Sequence, residues 1–361
     1  MMTKNEPVET LPAIVHLDLE RGWRGGQRQL QLLLQTLCRH GVTATVIARR
    51  GEVAAGRYRE IPGIAVLEAP GRIQALRLAG RVPSPKLLHA HTANTTPLAV
   101  LARRSGDAAL ATRRLDRPAS AFWLRRLDRV VAISASVERS LVAGGVPPDL
   151  VERIPSAIDR SRRADPAARA VLRDALGVPV PALLGLTVGA LEPQKDPLTL
   201  ARAMAHTPPG YHHAWVGDGS LREPTREAAR AAGGGAGERL HLVGYDAEPD
   251  RWFAAADLFV LPSVHEGLGT VLLDAFHFGV PVVGSRIPGT AELLEDGVSA
   301  LTFATGDTTA LAAAIGALAV DSARRAALAV EGRRRVAAYD IEITAARYLA
   351  LYRALAAARR R

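Results

Sequence analysis

The chain has 361 residues, a formal net charge of +10, 48% hydrophobic residues and 4% aromatic ones. That length is generous for one hydrophobic core and comfortable for two, and the apolar share excludes disorder along the whole chain. The single cysteine, Cys38, excludes an internal disulfide framework, and the polar N-terminus (MMTKNEPVETLP) lacks the apolar region of a secretory signal.

No apolar run is long enough to cross a bilayer, so the sequence reads as cytoplasmic, with the inner membrane face as a peripheral location. The basicity is almost all arginine, the only lysines being Lys4, Lys86 and Lys195. Such a charge attracts an anionic membrane or a phosphorylated acceptor. Nucleic acid as a partner gains no support, because neither a recognition motif nor an aromatic platform accompanies the charge.

In chain order, Ala13 to Leu17 predicts a buried strand, followed by the glycine-rich turn Arg21 to Gln27 and a helix over Arg28 to Cys38 with Leu30, Leu33, Leu34 and Leu37 on one side. Strands follow at Thr43 to Ala48, Ile64 to Leu67 and Leu87 to His91. The start is βαβ without the Gly-x-Gly-x-x-Gly of a dinucleotide fold. His89 and His91 alternate onto one face near a strand end, where open α/β sheets bind ligands. They could ligate zinc, but the sequence offers no third ligand at a usual spacing.

Arg113 to Arg129 carries six arginines around Phe122-Trp123-Leu124, the composition of a membrane-surface segment or of a solvated helix burying Phe122 and Leu127. Val130 to Ile133 is a strand leading into a helix that ends at Gly144-Gly145. The arginine, alanine and proline of 160–181 mark a domain junction, with a helix at Ala167 to Leu176. The pattern then restarts with strands at Leu183 to Val188, His213 to Val216 and Leu240 to Val243. Helices fall at Leu221 to Ala232 and Asp250 to Ala256.

The stretch Asp257 to Gly284 is the most informative. A strand at Leu258 to Leu261, a turn Glu266-Gly267-Leu268-Gly269-Thr270, a helix at Val271 to Phe278 and a strand at Val280 to Val283 place backbone amides at a helix start, an anion site. Glu266 and Asp274 flank the turn, 274 − 266 = 8 positions apart. A strand at Ala300 to Phe303 and alanine-rich helices follow, ending in an amphipathic helix over Ile341 to Ala356. No acidic cluster suited to a metal is evident.

This stretch resembles the acidic motif of GT-B glycosyltransferases, particularly retaining family 4. The resemblance runs from about Ala13 to Leu355, and is most specific from Leu183 to Phe303. It implies two Rossmann-like α/β domains facing a cleft: an acceptor-side domain over 1–163, a donor domain over 164–340, and a C-terminal helix over 341–361 returning to the first. By the same resemblance Glu266 contacts the donor sugar, Gly267, Leu268, Gly269 and Thr270 hold the diphosphate, and Asp274 grips the ribose, although the family usually has Glu there. Lys195 in Gly189-Ala190-Leu191-Glu192-Pro193-Gln194-Lys195 matches a phosphate-neutralising lysine, while Ala190 replaces the family's Arg.

Gly25 and Gly26 match a Gly-Gly loop directed at the donor phosphates, and His91 a histidine beside the donor sugar. Gly217 opens the Gly-x-Gly turn, and Gly244 with Tyr245 falls where relatives place the nucleobase. Ile154 to Asp159 matches only by position, and Ser285 to Glu292 corresponds to the family's Gly-Gly-x-Pro-Glu loop. The implied reaction is transfer from a nucleotide sugar to a glycan or lipid-linked acceptor of bacterial surface polysaccharide or lipopolysaccharide. It proceeds with retention and needs neither metal nor cofactor, with Glu266, His91 and Lys195 at the reacting centre. The sequence also admits a sugar-nucleotide epimerase, a catalytically silent nucleotide-sugar-binding protein and, from charge alone, a nucleic-acid-binding protein.

Overall fold

The structure is a computed structural model and describes residues 11–116 and 121–360. The first ten residues, which carry the signal-peptide reading, and Arg117 of the arginine-rich segment lie outside the described residues. Contacts divide the chain into two units, one running to Ala157 and including Asp340–Arg361, the other Ile158–Tyr339. The sequence-based boundary at 163/164 thus falls a few residues inside the second unit.

The first unit holds seven strands: β1 Ala13–Asp18, β2 Ala44–Arg49, β3 Ile64–Ala69, β4 Lys86–Ala90, β5 Ala108–Arg113, β6 Arg129–Ala132 and β7 Val151–Arg153. They form one parallel sheet in the order β3-β2-β1-β4-β5-β6-β7. The order reverses between β1 and β4, whose register sets His16 opposite His89. One face packs Ile14, Leu87 and Leu110 against Leu33 and Leu37 of the helix Gly25–Arg39 and against Tyr348, Leu349 and Tyr352 of the final helix Ile341–Arg360. That helix therefore belongs to the first unit although the chain reaches it last.

The second unit holds six strands: β8 Leu183–Val188, β9 Tyr211–Val216, β10 Leu240–Gly244, β11 Leu258–Leu261, β12 Val282–Ser285 and β13 Ala300–Phe303. Their order is β10-β9-β8-β11-β12-β13, again parallel, with the reversal between β8 and β11. Every residue of β11 is buried, as expected of a central parallel strand covered on both faces. β12 begins two residues later than the sequence suggests, because Pro281 has no N–H for the ladder and joins only through its carbonyl, which accepts from Phe259.

The arginine-rich segment is not one surface element. Arg113 closes β5 and Arg114 follows it, both half-buried, whereas Arg125 and Arg126 are exposed beyond the short helix Ala121–Leu124. Leu127 is buried as expected, but Phe122 is 55% exposed. Among the described residues, no helix is long and apolar enough to cross a membrane.

Candidate active site

Ligands of open parallel sheets bind beyond the strand ends at the point where strand order reverses. In the second unit that point lies between β8 and β11, and it gathers the turns carrying Lys195 and Glu266. Lys195 ends the short turn Pro193–Lys195 after β8, and its Nζ lies 2.5 Å from Glu266 Oε1. Ser263 Oγ donates to the same oxygen at 2.8 Å. Glu266 is 8% exposed, so a carboxylate is held here by one cation and one hydroxyl with little help from water. Leu268 anchors the turn in the core, and Gly269 adopts the left-handed region at φ +71° that a branched residue would resist. The helix Thr270–Phe278 then starts without a side-chain cap, so its first-turn amides carry the positive end of the dipole at this edge.

The glycines beside this turn are required for packing. A Cβ on Gly289 would come within 1.7 Å of the Glu266 carbonyl oxygen, and one on Gly217 within 2.0 Å of the Gly189 oxygen. Gly219 is closed in the same way by Leu191. Backbone therefore lies directly on backbone where the 217–219 and 285–290 loops brace the turns bearing Lys195 and Glu266. Gly217 also donates to the Gly244 carbonyl at 2.7 Å, while Tyr245 next to it is 64% exposed.

Asp274 meets an unexpected partner. Its Oδ1 is 2.5 Å from Arg162 Nη1, and the same guanidinium also binds Asp250, with Arg162 Nε donating to Asp250 Oδ2 at 2.6 Å. His277 Nε2 donates to the Arg162 carbonyl at 2.9 Å. Burial alone would lower the Arg162 pKa, but the Asp274 and Asp250 carboxylates hold it above its ordinary value. The shorter acid that replaces Glu is thus built into an Asp–Arg–Asp cluster.

In the first unit the order reverses between β1 and β4, and the polar side chains there are inward. His16, His89 and His91 are all buried, with one ligand atom of each within 4.8 Å of the others. The third member, His16, is 75 positions from His91, so it comes from the neighbouring strand and not from a usual ligand spacing. His16 Nδ1 lies 2.9 Å from His91 Nε2, whereas His89 uses both nitrogens, on Tyr352 Oη and Thr112 Oγ1, each at 2.8 Å. Burial lowers the pKa of His16 to about 3 and, helped by neighbouring histidines and Arg114, carries His89 and His91 well below theirs. Asp18, at the end of β1, accepts from Tyr58 Oη at 2.7 Å and from Gln27 Nε2 at 3.2 Å. Burial raises its pKa against those hydrogen bonds. Gly25 opens the first helix, and Gly26 lies over the Arg114 side chain, whose Cδ would be 3.4 Å from a Cβ there.

Two family profiles match this chain: "Glycosyl transferases group 1" over residues 183–321 and "Glycosyltransferase Family 4" over residues 23–162. Together they span both sheets. The chain belongs to the group 1, family 4 glycosyltransferases. It is 32% identical to the lipopolysaccharide core biosynthesis glycosyltransferase LpsE of Rhizobium meliloti over 152 residues, 42% of this chain and 44% of that one. It is 33% identical to a D-inositol 3-phosphate glycosyltransferase of Acidothermus cellulolyticus over 206 residues, 53% and 45% of the two. The chain spans about half the length of these curated relatives. Its fold matches that of Anabaena Alr3699/HepE, solved in complex with UDP-glucose, with a TM-score of 0.81, 22% identity and coverage of 94% of this chain and 99% of that one.

Of the residues the resemblance marks, this glycosyltransferase-family chain brings Lys195, Glu266 and the 267–270 turn to one sheet edge, with Gly217 and Gly244 at the ends of the neighbouring strands. Gly25, Gly26 and His91 belong to the other unit. Sequence reasoning missed Ser263, Arg162, Asp250 and His16. Ser263 was recoverable, since a hydroxyl three residues before an acid in a strand-end loop can reach it. Arg162 was not, because it lies 112 positions from Asp274 and outside any motif.

Proposed function

We propose that this protein transfers a sugar from a nucleotide-sugar donor to a glycan or lipid-linked acceptor of bacterial surface polysaccharide or lipopolysaccharide, with retention and without a metal. The observation that carries the reading is the Lys195–Glu266 pair at the second unit's point of strand reversal, beside an uncapped helix start. A cation and amide dipoles suit a diphosphate, and the adjoining carboxylate suits sugar hydroxyls. In this reading the leaving diphosphate is neutralised by Lys195 and the amides of 267–270. The acceptor hydroxyl attacks the face from which that diphosphate departs and passes its proton to it. The LpsE likeness favours the lipopolysaccharide acceptor, and the UDP-glucose complex of the Anabaena protein favours a uridine donor.

The test is a thermal-shift screen of nucleotide sugars, followed by transfer assays with those that bind. A ligand at 100 times its Kd stabilises by about 2.7 kcal/mol. Lys195→Ala should weaken binding of both the nucleoside diphosphate and the intact donor by roughly 10- to 100-fold, the worth of a charge-assisted contact, and leave the nucleoside unchanged. If the nucleoside loses as much as the diphosphate, Lys195 is structural. Turnover of the donor without any acceptor would favour an epimerase.

The exposed Phe122, with Trp123 edge-on at 5.0 Å and Arg126 stacked 3.7 Å over its ring, supports docking on an anionic membrane face. Each arginine near such a surface contributes roughly 1 kcal/mol, so replacing Arg125, Arg126 and Trp123 together should weaken binding to anionic vesicles by about 30-fold or more. Wild-type binding should also fade as salt rises. Indifference to anionic vesicles at low salt would remove the membrane from the proposal.

A further inference from the structure

Arginines that turn inward in the second unit are met by acceptors. Arg162 grips Asp250, Arg173 reaches Asp257 at 3.0 Å, and Arg239 donates to the carbonyls of Met204 and Tyr211 at 2.7 and 2.9 Å. The two half-buried arginines at the end of β5 differ, and they lie at the edge of the first unit's sheet where ligands of such sheets bind. Among the described residues Arg114 makes one hydrogen bond, Nη1 to Ser156 Oγ at 3.4 Å, and no ion pair. Its Nε is buried without a partner, whereas its Nη2 is neither bonded nor buried and so opens to the surface. Arg113, directed to the opposite face of the strand end, also buries an unmet Nε. The neighbouring acids are engaged elsewhere: Asp18 accepts from Tyr58 and Gln27, and Asp116 from Ser136 Oγ at 2.8 Å. Buried donors without partners are rare enough to need a reason.

The Nε–H and an Nη2–H of a guanidinium form a side-on fork that matches two oxygens of a carboxylate or phosphate. Arg251 uses that fork on Asp246, with Nε at 3.0 Å and Nη2 at 2.7 Å from Oδ2, and Arg162 uses it on Asp250. On Arg114 the same two nitrogens are the unmet ones, while Nη1 is anchored to the buried Ser156. We propose that Arg114 holds an oxyanion, a carboxylate or phosphate carried by the sugar acceptor, through Nη2 and Nε. Only the word acceptor rests on the glycosyl-transfer reading; the empty fork does not. Gly26 keeps that edge uncovered, since a Cβ there would lie 3.4 Å from Arg114 Cδ and 3.8 Å from Nε. Burial pulls the pKa of Arg113 and Arg114 below the ordinary arginine value, a desolvation cost that a bound oxyanion offsets. The donor diphosphate is the rival occupant, for which the second unit already offers Lys195 and the helix start at Thr270.

Calorimetry on the full chain with glucose 6-phosphate, glucuronate and glucose tests this. At least one of the two anions should bind roughly 10-fold or more tighter than glucose, and the tighter one identifies the acceptor's charged group. Arg114→Gln should weaken that binding by roughly 10- to 150-fold, the worth of a charge-assisted contact, and leave uridine diphosphate within about twofold. Lys195→Ala should do the reverse. Arg114→Lys keeps the charge without the fork and should recover only part of the loss. Arginine-selective 15N labelling adds a local reading: the Nε–H resonance that disappears in Arg114→Lys should shift with the anion and ignore glucose. Should Arg114→Gln fail to fold, that resonance and Arg114→Lys still decide. Neither anion binding, binding that ignores Arg114→Gln, or an Nε–H that ignores saturating anion would each overturn the proposal. So would an equal loss of uridine diphosphate, which would give the fork to the donor. Anion binding at Arg114 with no sugar transferred to any acceptor would support the fork and count against the glycosyl-transfer reading.

Discussion

Glu266→Gln should lower kcat/KM for sugar transfer by roughly 10- to 150-fold, corresponding to about 1.5–3 kcal/mol for a charge-assisted hydrogen bond that the amide cannot reproduce. Both internal donors, Lys195 Nζ and Ser263 Oγ, converge on Oε1, so the carboxylate can serve a sugar hydroxyl through Oε2 without surrendering its internal partners. The amide keeps the shape and one acceptor oxygen but loses the charge. Affinity for the nucleoside diphosphate lacking the sugar should hold or rise, since Lys195 loses its competing carboxylate. The discriminating measurement is therefore paired: steady-state transfer kinetics beside calorimetric diphosphate binding. Transfer within about twofold of wild type would remove Glu266 from the reacting centre.

Much of this site was legible because the second unit's signals agree across levels. Leu183–Val188 and Ala300–Phe303 appear with the bounds their apolar runs suggest, and the glycine turn of 267–270 opens a helix as its composition requires. The partners of the acids were not legible. Asp274 looks like a ligand-facing acid by spacing alone, yet Arg162, in the chain ahead of β8, already holds it. Gly217 reads from the sequence as the opening glycine of a Gly-x-Gly turn, and its required contact, the Gly189 carbonyl, is revealed only by tertiary structure.

The first unit was harder to read. β5 reads AALATR, and alanine has little strand preference of its own; burial between β4 and β6 makes it a strand. β7 spans three residues at a sheet edge, too short for any alternation to show. The helices at 53–59, 72–81 and 96–101 have too few large apolar residues to display a period. His16 was recoverable in principle. It shares a face with Ile14 and Asp18, and once β1 and β4 are the strands flanking the reversal, parallel register brings it beside His89. The missing step was topology, which no local pattern states.

The largest stability effect should come from Lys86, one of three lysines in a chain that otherwise uses arginine. It starts β4 with its ammonium fully buried, 2.9 Å from an equally buried Asp107 Oδ2. Asp107 also accepts the backbone N–H groups of Lys86 at 3.0 Å and Arg104 at 2.9 Å. Burial by itself would raise the Asp107 pKa, but these hydrogen bonds and the ammonium bring it below the ordinary carboxylate value. A depressed folded pKa means the contribution is complete above the unfolded value and is lost as pH falls through the folded one, so it is intact at pH 7 and disappears only in acid. Lys86→Met leaves a buried carboxylate without its cation and should cost about 3–5 kcal/mol, a fall in Tm of roughly 6–20 °C for a unit of this size. Hydrogen exchange should place the loss in the first unit's sheet. Lys86→Met with Asp107→Leu removes both charges and should recover only part of it, because the amides of Lys86 and Arg104 then lose their acceptor. A single Lys86→Met variant within about 2 °C of wild type would mean the pair is solvated in solution and adds little to the first unit's stability.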